Sequence, residues 1–148
     1  KGYVLLRCKI TNTTGQTSAV YSSNAKLWFI TPPTINSYPA PILWVDEGSK
    51  LNLEVRANAN HGTLKYAWQI YESSEWKSFT PLTGWNTNYA YMNNITHSYR
   101  TKEVRCKVSN EAGTIYTNTS KLAVIAKAPV ITSITPSVVR VKVKNHYT

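Results

Sequence analysis

The sequence predicts an all-β protein made of β-sandwich repeats in tandem, and three observations support this fold class. Apolar and polar residues alternate along several short stretches, as in strands that bury one face. No stretch of useful length has a helical period. The phrase RCKITNTTG at 7–15 returns as RCKVSNEAG at 105–113, which indicates an internal repeat of domain size.

A second shared phrase shows that the repetition extends further along the chain. SSNAKLWF at 22–29 corresponds to TNTSKLAV at 117–124, and Pro33 then corresponds to Pro129. The period is roughly 96 residues, which falls in the size range of one small β-sandwich. Both phrases therefore belong to one repeating unit rather than to a local coincidence.

We therefore divide the chain into three predicted segments. Residues 1–30 are the closing strands of one repeat, residues 31–126 are a complete repeat, and residues 127–148 are the opening strands of a third. Because both incomplete ends lack part of a sandwich, we expect them to expose apolar faces. Neighbouring molecules or other parts of the chain would have to cover those faces.

The formal net charge of +10 is concentrated in the two incomplete ends. Each end carries four basic residues and no acidic residue, which leaves +2 for the complete repeat. No folded face is therefore predicted to be strongly basic, and we expect no nucleic-acid partner. Contact with an anionic surface polymer stays open. No apolar run approaches the ~20 residues of a membrane helix, so we expect no membrane insertion.

The first half of the complete repeat contains three predicted strands. The first is an edge-type strand, because the four prolines between positions 32 and 41 cannot donate to a central ladder. The second lies at 51–57, where leucines, Val55 and Ala57 alternate with polar residues. The third, at 64–71, places Trp68 on its apolar face.

The second half of the repeat follows the same pattern. A loop-rich stretch at 72–88 precedes a short strand around Tyr89 and Tyr91. A strand at 103–109 and a last strand containing Leu122 close the repeat. The residues that these patterns place in the core are Leu53, Val55, Trp68, Val104, Cys106 and Val108.

Four motifs follow one another in the complete repeat: YAWQ at 66–69, GWNT at 84–87, RCKVSNEAG at 105–113 and KLAV at 121–124. Together with Trp76, their order resembles the immunoglobulin-like repeats of bacterial cell-surface proteins, especially those of Gram-positive bacteria. The resemblance covers the complete repeat and part of each flank. It implies an immunoglobulin-like β-sandwich in an extracellular, cell-surface protein.

The resemblance also bears on the two cysteines. In antibody-type domains a cysteine on the second strand bridges to the strand that carries Cys106, across the central tryptophan. The second strand of this repeat offers Leu53 and Val55 instead, so we expect no disulfide within the repeat. Cys8 occupies the equivalent place in the preceding repeat, beyond the ~7 Å limit on Cα separation. Cys106 is therefore predicted to be a small core residue against Trp68 rather than a reactive thiol.

Few residues of this sequence could carry catalysis. The seven acidic residues include no pair expected to face each other across a cleft, as a glycoside hydrolase requires. His61, His97 and His146 are well separated, and no CxxC, HxxxH or acidic calcium loop is present. We therefore expect no enzyme, no cofactor and no metal site. The resemblance leaves open a lysine–asparagine cross-link, although the lysines fall on predicted outer faces or strand ends.

The candidates for contact with a ligand are aromatic residues in or beside the loop-rich stretch: Tyr71, Trp76, Phe79 and Trp85. Exposed aromatic rings stack on sugars and anchor protein interfaces. In the alternative interpretation, which the resemblance favours, Trp76 and Trp85 cover the edge of the sandwich as part of the fold.

The leading functional hypothesis is a non-enzymatic structural and adhesive segment of an extracellular bacterial surface protein or fibre. The repeats would act as a spacer or stalk, and the proline-bearing linker TPPT at 31–34 would limit bending between them. Its partners would be neighbouring immunoglobulin-like repeats of the same chain or of another copy. One alternative is a module that binds a surface glycan or a host protein. Another is an accessory domain of a secreted carbohydrate-active enzyme.

Overall fold

The computed structural model describes residues 3–12 and 19–133 of the chain. These residues form fourteen β-strands and one short 3-10 turn at His97–Tyr99, and they contain no α-helix. The strands are β1 (Tyr3–Leu6), β2 (Lys9–Ile10), β3 (Val20–Tyr21), β4 (Ala25–Trp28), β5 (Thr34–Ser37), β6 (Ile42–Asp46), β7 (Leu51–Glu54), β8 (Arg56–Asn58), β9 (Lys65–Glu72), β10 (Glu75–Ser78), β11 (Tyr89–Met92), β12 (Glu103–Asn110), β13 (Gly113–Tyr116) and β14 (Ser120–Ile125).

One layer of the central region is a six-stranded sheet. Its order is β10-β9-β12-β14-β6, and β13 pairs with the carboxyl-terminal half of β12. All of these pairs are antiparallel except β14 with β6, which is parallel. The strands β9, β12 and β14 bury alternate residues, and β12 shows this most clearly because Val104, Cys106 and Val108 all lie at 0% exposure. The period of two in the sequence therefore sets which face of this sheet meets the core.

The opposite layer is organised around β7 and β8, which follow each other along the chain. Val55 separates them, and its N–H donates to the carbonyl of Asn88 at 2.9 Å, so hydrogen bonding continues across the gap. β11 pairs with β7, and β5 pairs with β8. The alternating strand predicted at 51–57 is therefore the centre of the second layer.

The core lies between these two layers. Trp68 and Cys106 are directly opposite each other on neighbouring strands, and both are fully buried. The indole N–H of Trp68 donates to the carbonyl of Thr87 at 3.0 Å, which satisfies the one polar group of that ring. All the residues that the alternation placed in the core are buried there, namely Leu53, Val55, Trp68, Val104, Cys106 and Val108.

Two details of the central region differ from the sequence-based prediction. The expected single edge strand is divided into β5 and β6, which join opposite layers. Pro39 and Pro41 lie between them, where a residue without an N–H donor interrupts pairing and lets the chain change layers. The stretch predicted to be loop-rich at 72–88 also contains a strand, β10, which pairs with β9 at the edge of the sheet.

The amino-terminal strands pair in the same register as the closing strands of the central region. β1 pairs with β4 as β12 pairs with β14, and β2 pairs with β3 as β12 pairs with β13. The corresponding pairs are Leu6–Ala25 with Val104–Ser120, and Lys9–Tyr21 with Lys107–Tyr116. Residues that match in the two copies of the sequence phrase therefore match in their strand pairing as well.

A side-chain hydrogen bond is also repeated. The backbone N–H of Cys8 donates to the hydroxyl of Ser22 at 2.9 Å, and the N–H of Cys106 donates to the hydroxyl of Thr117 at 2.9 Å. In return, the N–H groups of Ser22 and Thr117 donate to the carbonyls of Cys8 and Cys106, each at 2.9 Å. A hydroxyl residue at this position therefore joins the cysteine strand to the closing strand in both copies.

The amino-terminal strands bury little apolar surface. Tyr3, Val4, Leu5 and Leu6 of β1 are each 43–51% exposed. That these strands belong to an incomplete sandwich stays a prediction. Residues 127–133 form no strand, and the remainder of the predicted third segment lies outside the described residues.

Candidate functional site

The structure separates the four aromatic ligand candidates into two groups. Tyr71 is 41% exposed and Trp76 is half-buried, and both lie on the outer face of the large sheet. Trp85 is half-buried and packs against the core. Phe79 is only 1% exposed and contacts Tyr99 at a ring-centroid distance of 5.5 Å. The assignment of Phe79 to the ligand-contacting set is therefore corrected, because a core ring cannot meet a ligand.

Tyr71 and Trp76 belong to a larger cluster that we name the aromatic–arginine ladder (Tyr71, Trp76, Arg105 and Tyr116). The rings of Tyr71 and Trp76 are 5.3 Å apart. The guanidinium of Arg105 lies 4.1 Å from the ring centroid of Trp76 and 4.1 Å from that of Tyr116. Its Nε–H donates to the side-chain oxygen of Gln69 at 2.9 Å. The cation thus contacts two aromatic rings and is also held by one hydrogen bond.

Strand alternation explains why these side chains share one face. Trp68 and Cys106 point into the core, so their neighbours Gln69 and Arg105 point outward, and these two are paired across β9 and β12. Tyr116 is paired with Lys107 on the same outer face. Arg105 and Tyr116 were not among the residues predicted to contact a ligand. The signal that could have identified them is the repeat itself.

The amino-terminal copy of the repeated phrase contains a matching arginine–tyrosine pair. The guanidinium of Arg7 lies 4.0 Å from the ring centroid of Tyr21, and both residues correspond in the repeat to Arg105 and Tyr116. Tyr21 is 44% exposed and Tyr116 is 45% exposed. An arginine stacked on an exposed tyrosine is therefore a feature of both copies of the repeated phrase.

We name a second cluster the linker contact; it consists of Trp28, Thr31, His61, Asn110 and Gly113. It includes the end of the phrase RCKVSNEAG, whereas the ladder includes Arg105 at the start of that phrase. The rings of Trp28 and His61 are 4.5 Å apart. The side-chain amide of Asn110 donates to the carbonyl of Thr31 at 2.7 Å, and also to the carbonyl of Ala59 at 3.1 Å. The linker that precedes β5 is thus attached to two loops of the central region.

The side chain of Asn110 takes part both in this contact and in the turn between β12 and β13. Its side-chain oxygen accepts hydrogen bonds from the N–H groups of Ala112 and Gly113 at 3.0 and 3.1 Å. Gly113 is not among the residues with positive φ, and a Cβ there would stand 3.2 Å from Pro32. The lack of a side chain at Gly113 therefore allows the linker to approach closely.

Burial dominates the chemistry of the Cys106 thiol. Burial raises the pKa of its thiol to about 12, well above the ordinary value of 9.0. A thiol that stays protonated is a poor nucleophile. Cys8, by contrast, is exposed, and neither cysteine is in a disulfide.

The difference between the two thiols leads to a prediction. In a Cys8→Ser variant, we expect Ellman's reagent to detect no thiol in the folded protein and one after unfolding. Because the folded pKa of Cys106 is raised, stability should be full below the ordinary pKa and should fall as pH rises from 9.0 towards about 12. Rapid modification of the folded variant at mildly alkaline pH would contradict the buried position.

The described part of the chain offers no arrangement suited to metal binding. No group of three His, Cys, Asp or Glu residues among residues 3–12 and 19–133 could hold a metal ion. Every lysine in these ranges is exposed or half-buried, so none has the burial that a lysine–asparagine cross-link requires. Across the same residues, no helix has the length and apolar character needed to cross a bilayer.

Solved structures share the architecture of this chain. The insect immune protein hemolin is 14% identical over 83% of this chain and 29% of its own, with a TM-score of 0.52. Four immunoglobulin domains of Sidekick-1 are 18% identical over 80% of this chain and 31% of theirs, with a TM-score of 0.58. An I-band fragment of titin is 18% identical over 81% of this chain and 40% of its own, with a TM-score of 0.53.

The fold class predicted from the sequence is confirmed: the chain is an all-β protein with an immunoglobulin-like β-sandwich. The similarity to these structures is a similarity of fold. The chain spans less than half the length of each of the three. No family model matches the sequence, and no curated protein matches it.

Proposed function

We propose that this chain is a non-enzymatic structural and adhesive segment of an extracellular bacterial surface protein or fibre. In this proposal residues 1–30, 31–126 and 127–148 belong to three successive immunoglobulin-like repeats that act together as a spacer or stalk. The matched strand register of the two cysteine phrases supports this division. The bacterial, cell-surface setting rests on the sequence resemblance.

The observation that carries the spacer role is the linker contact. A stalk transmits a fixed geometry only if each repeat limits the motion of its neighbour, and contacts between domains of one chain are often too few to do so. Here Asn110 binds the carbonyl of Thr31, Trp28 packs on His61, and Pro33 is buried at the start of the central sandwich. The linker is attached to the repeat that follows it, which favours a semi-rigid array.

The exposed strand β1 is the feature on which the proposed adhesive contacts depend. The exposed apolar side chains of β1 present a half-built core to strands of another immunoglobulin-like repeat, in the same chain or in a second copy. Hemolin, which shares the fold, is described in terms of homophilic adhesion. Contact between like repeats is therefore the partner class that we propose for this chain.

The linker contact can be tested by substitution of Asn110. We expect Asn110→Ala to release the linker, because Thr31 loses its hydrogen-bond donor. A spin label on exposed Cys8 and a second on Thr80→Cys would report the distance between the amino-terminal strands and the central sandwich. In the otherwise unchanged protein we expect a narrow distance distribution, and Asn110→Ala should broaden it.

Asn118→Ala is the matched control, because Asn118 is exposed and makes no hydrogen bond within the described residues. It should leave the distance distribution unchanged. A broad distribution in the parent protein, or equal widths for parent and Asn110→Ala, would contradict the spacer role.

A further inference from the structure

Arg105, on the outer face of the large sheet, has hydrogen-bond donors that the fold does not use. A guanidinium has five N–H donors, and Arg105 uses its Nε–H on Gln69. Among the described residues Arg105 forms no ion pair with a carboxylate. The rings of Trp76 and Tyr116 each lie 4.1 Å from the guanidinium carbon, and the remaining N–H donors make no hydrogen bond within the described residues. This arrangement suits a carboxylate that approaches from solvent.

Most of the charges around the ladder are positive. Strand alternation places Lys65 and Lys107 on the outer face together with Arg105, and Glu103 is the acidic residue of β12 on that face. The more distant Glu72 bonds to Lys102 at 2.8 Å and is thereby neutralised. A ligand on this face therefore meets a net positive surface lined with aromatic rings.

The ladder is also extended. It crosses four neighbouring strands, β10, β9, β12 and β13, which span about 14 Å at the usual spacing between strands. Trp76 on β10 and Tyr116 on β13 lie on its outermost strands, and Tyr71 and Tyr116 are 41% and 45% exposed. An elongated ligand can therefore contact several rings, each of which is apolar on its face and polar at its edge.

The repetition of the arginine–tyrosine pair points to the kind of ligand. Arg7 stacks on Tyr21 as Arg105 stacks on Tyr116, so each copy of the phrase presents one cation beside one exposed ring. A ligand with a carboxylate on every repeating unit can engage successive pairs and gain avidity without any new type of contact. A single short acidic peptide gains nothing from this repetition.

We propose that the outer face of this sheet binds a carboxylated polysaccharide. Sugar rings would stack on Trp76, Tyr71 and Tyr116, and a uronic-acid carboxylate would accept hydrogen bonds from Arg105. This inference extends beyond the spacer role, because a stalk needs no ligand on the flank of its repeats. An array built in this way would adhere along its length rather than only at a tip.

Binding can be measured with two uronic-acid polymers, polygalacturonate and hyaluronan, by affinity electrophoresis and by chemical-shift changes in labelled protein. We expect binding of at least one polymer, shifts centred on Arg105 and Trp76, and no binding of methyl-esterified polygalacturonate or dextran. Arg105→Gln should weaken binding by about tenfold, because a charged hydrogen bond is lost. Arg56→Gln is the matched control, since Arg56 lies on the opposite layer and pairs with Glu54.

Four outcomes would overturn the proposal, provided that thermal unfolding shows both variants to be folded. The first is no binding of either polymer, and the second is equal binding of the esterified form. The third is equal binding of polyglutamate, which would indicate an acidic polypeptide partner. The fourth is an equal loss of affinity in Arg56→Gln and Arg105→Gln, which would indicate charge attraction without a site. None of these outcomes affects the linker test described above.

Discussion

Trp68→Ala is expected to destabilise the protein by about 3–5 kcal/mol, the range for removal of a large aromatic side chain from a core. Trp68 is fully buried between the two layers and lies opposite Cys106. Its loss leaves a cavity and also removes the indole donor from the carbonyl of Thr87. Urea denaturation followed by circular dichroism measures the change in the free energy of unfolding.

Trp44→Ala is the control for this substitution. Trp44 is 72% exposed on β6, so the same chemical change should alter stability by less than about 0.5 kcal/mol. Similar losses of stability in the two variants would contradict the position of Trp68 at the centre of the sandwich.

Gly84→Ala is expected to have the second-largest effect, about 2–3 kcal/mol, because it combines backbone strain with a steric clash. Gly84 has φ +74°, a conformation that residues with a Cβ rarely adopt. A Cβ at this position would stand 2.7 Å from the backbone carbonyl oxygen of Tyr89, which cannot rotate away as a side chain could. The loop also positions Trp85, whose carbonyl accepts a hydrogen bond from the backbone N–H of Trp68 at 2.7 Å.

Gly48→Ala separates the two causes. Gly48 has φ +83°, but the nearest atom to a Cβ there is the side-chain oxygen of Asn94 at 3.5 Å, which is ordinary contact. The Gly48→Ala variant should therefore lose only about 1–2 kcal/mol of stability, which is the cost of a left-handed backbone conformation. Chemical denaturation of both variants gives the comparison, and a loss at Gly48 as large as that at Gly84 would show that the clash is relieved.

The core was predictable because it depends on a period of two that is visible in the sequence. Leu53 and Val55 on one layer, and Trp68 and Cys106 on the other, each alternate with polar neighbours. Phe79 has no such pattern around it. Its N–H donates to the carbonyl of Trp68 at 2.8 Å and its side chain packs in the core, and the local sequence specifies neither tertiary contact.

The candidate site was predictable only in part. Tyr71 and Trp76 stood out as aromatic residues in a polar stretch, but their partner Arg105 looked like an ordinary outward-facing residue of an alternating strand. The pairing of β9 with both β10 and β12 brings the three together, and cross-strand register is set by turns and packing over the whole sheet. The linker contact was missed for the same reason, because Asn110 and Thr31 are far apart in the chain.

The central claim is that the two cysteine phrases adopt one strand arrangement within an immunoglobulin-like fold. Cross-strand nuclear Overhauser effects in isotope-labelled protein test it most directly. We predict effects between Cys106 and Trp68, between Lys107 and Tyr116, and between Lys9 and Tyr21 at the equivalent place in the first copy. Pairing of the first phrase in a different register, or the absence of contact between Cys106 and Trp68, would contradict the claim.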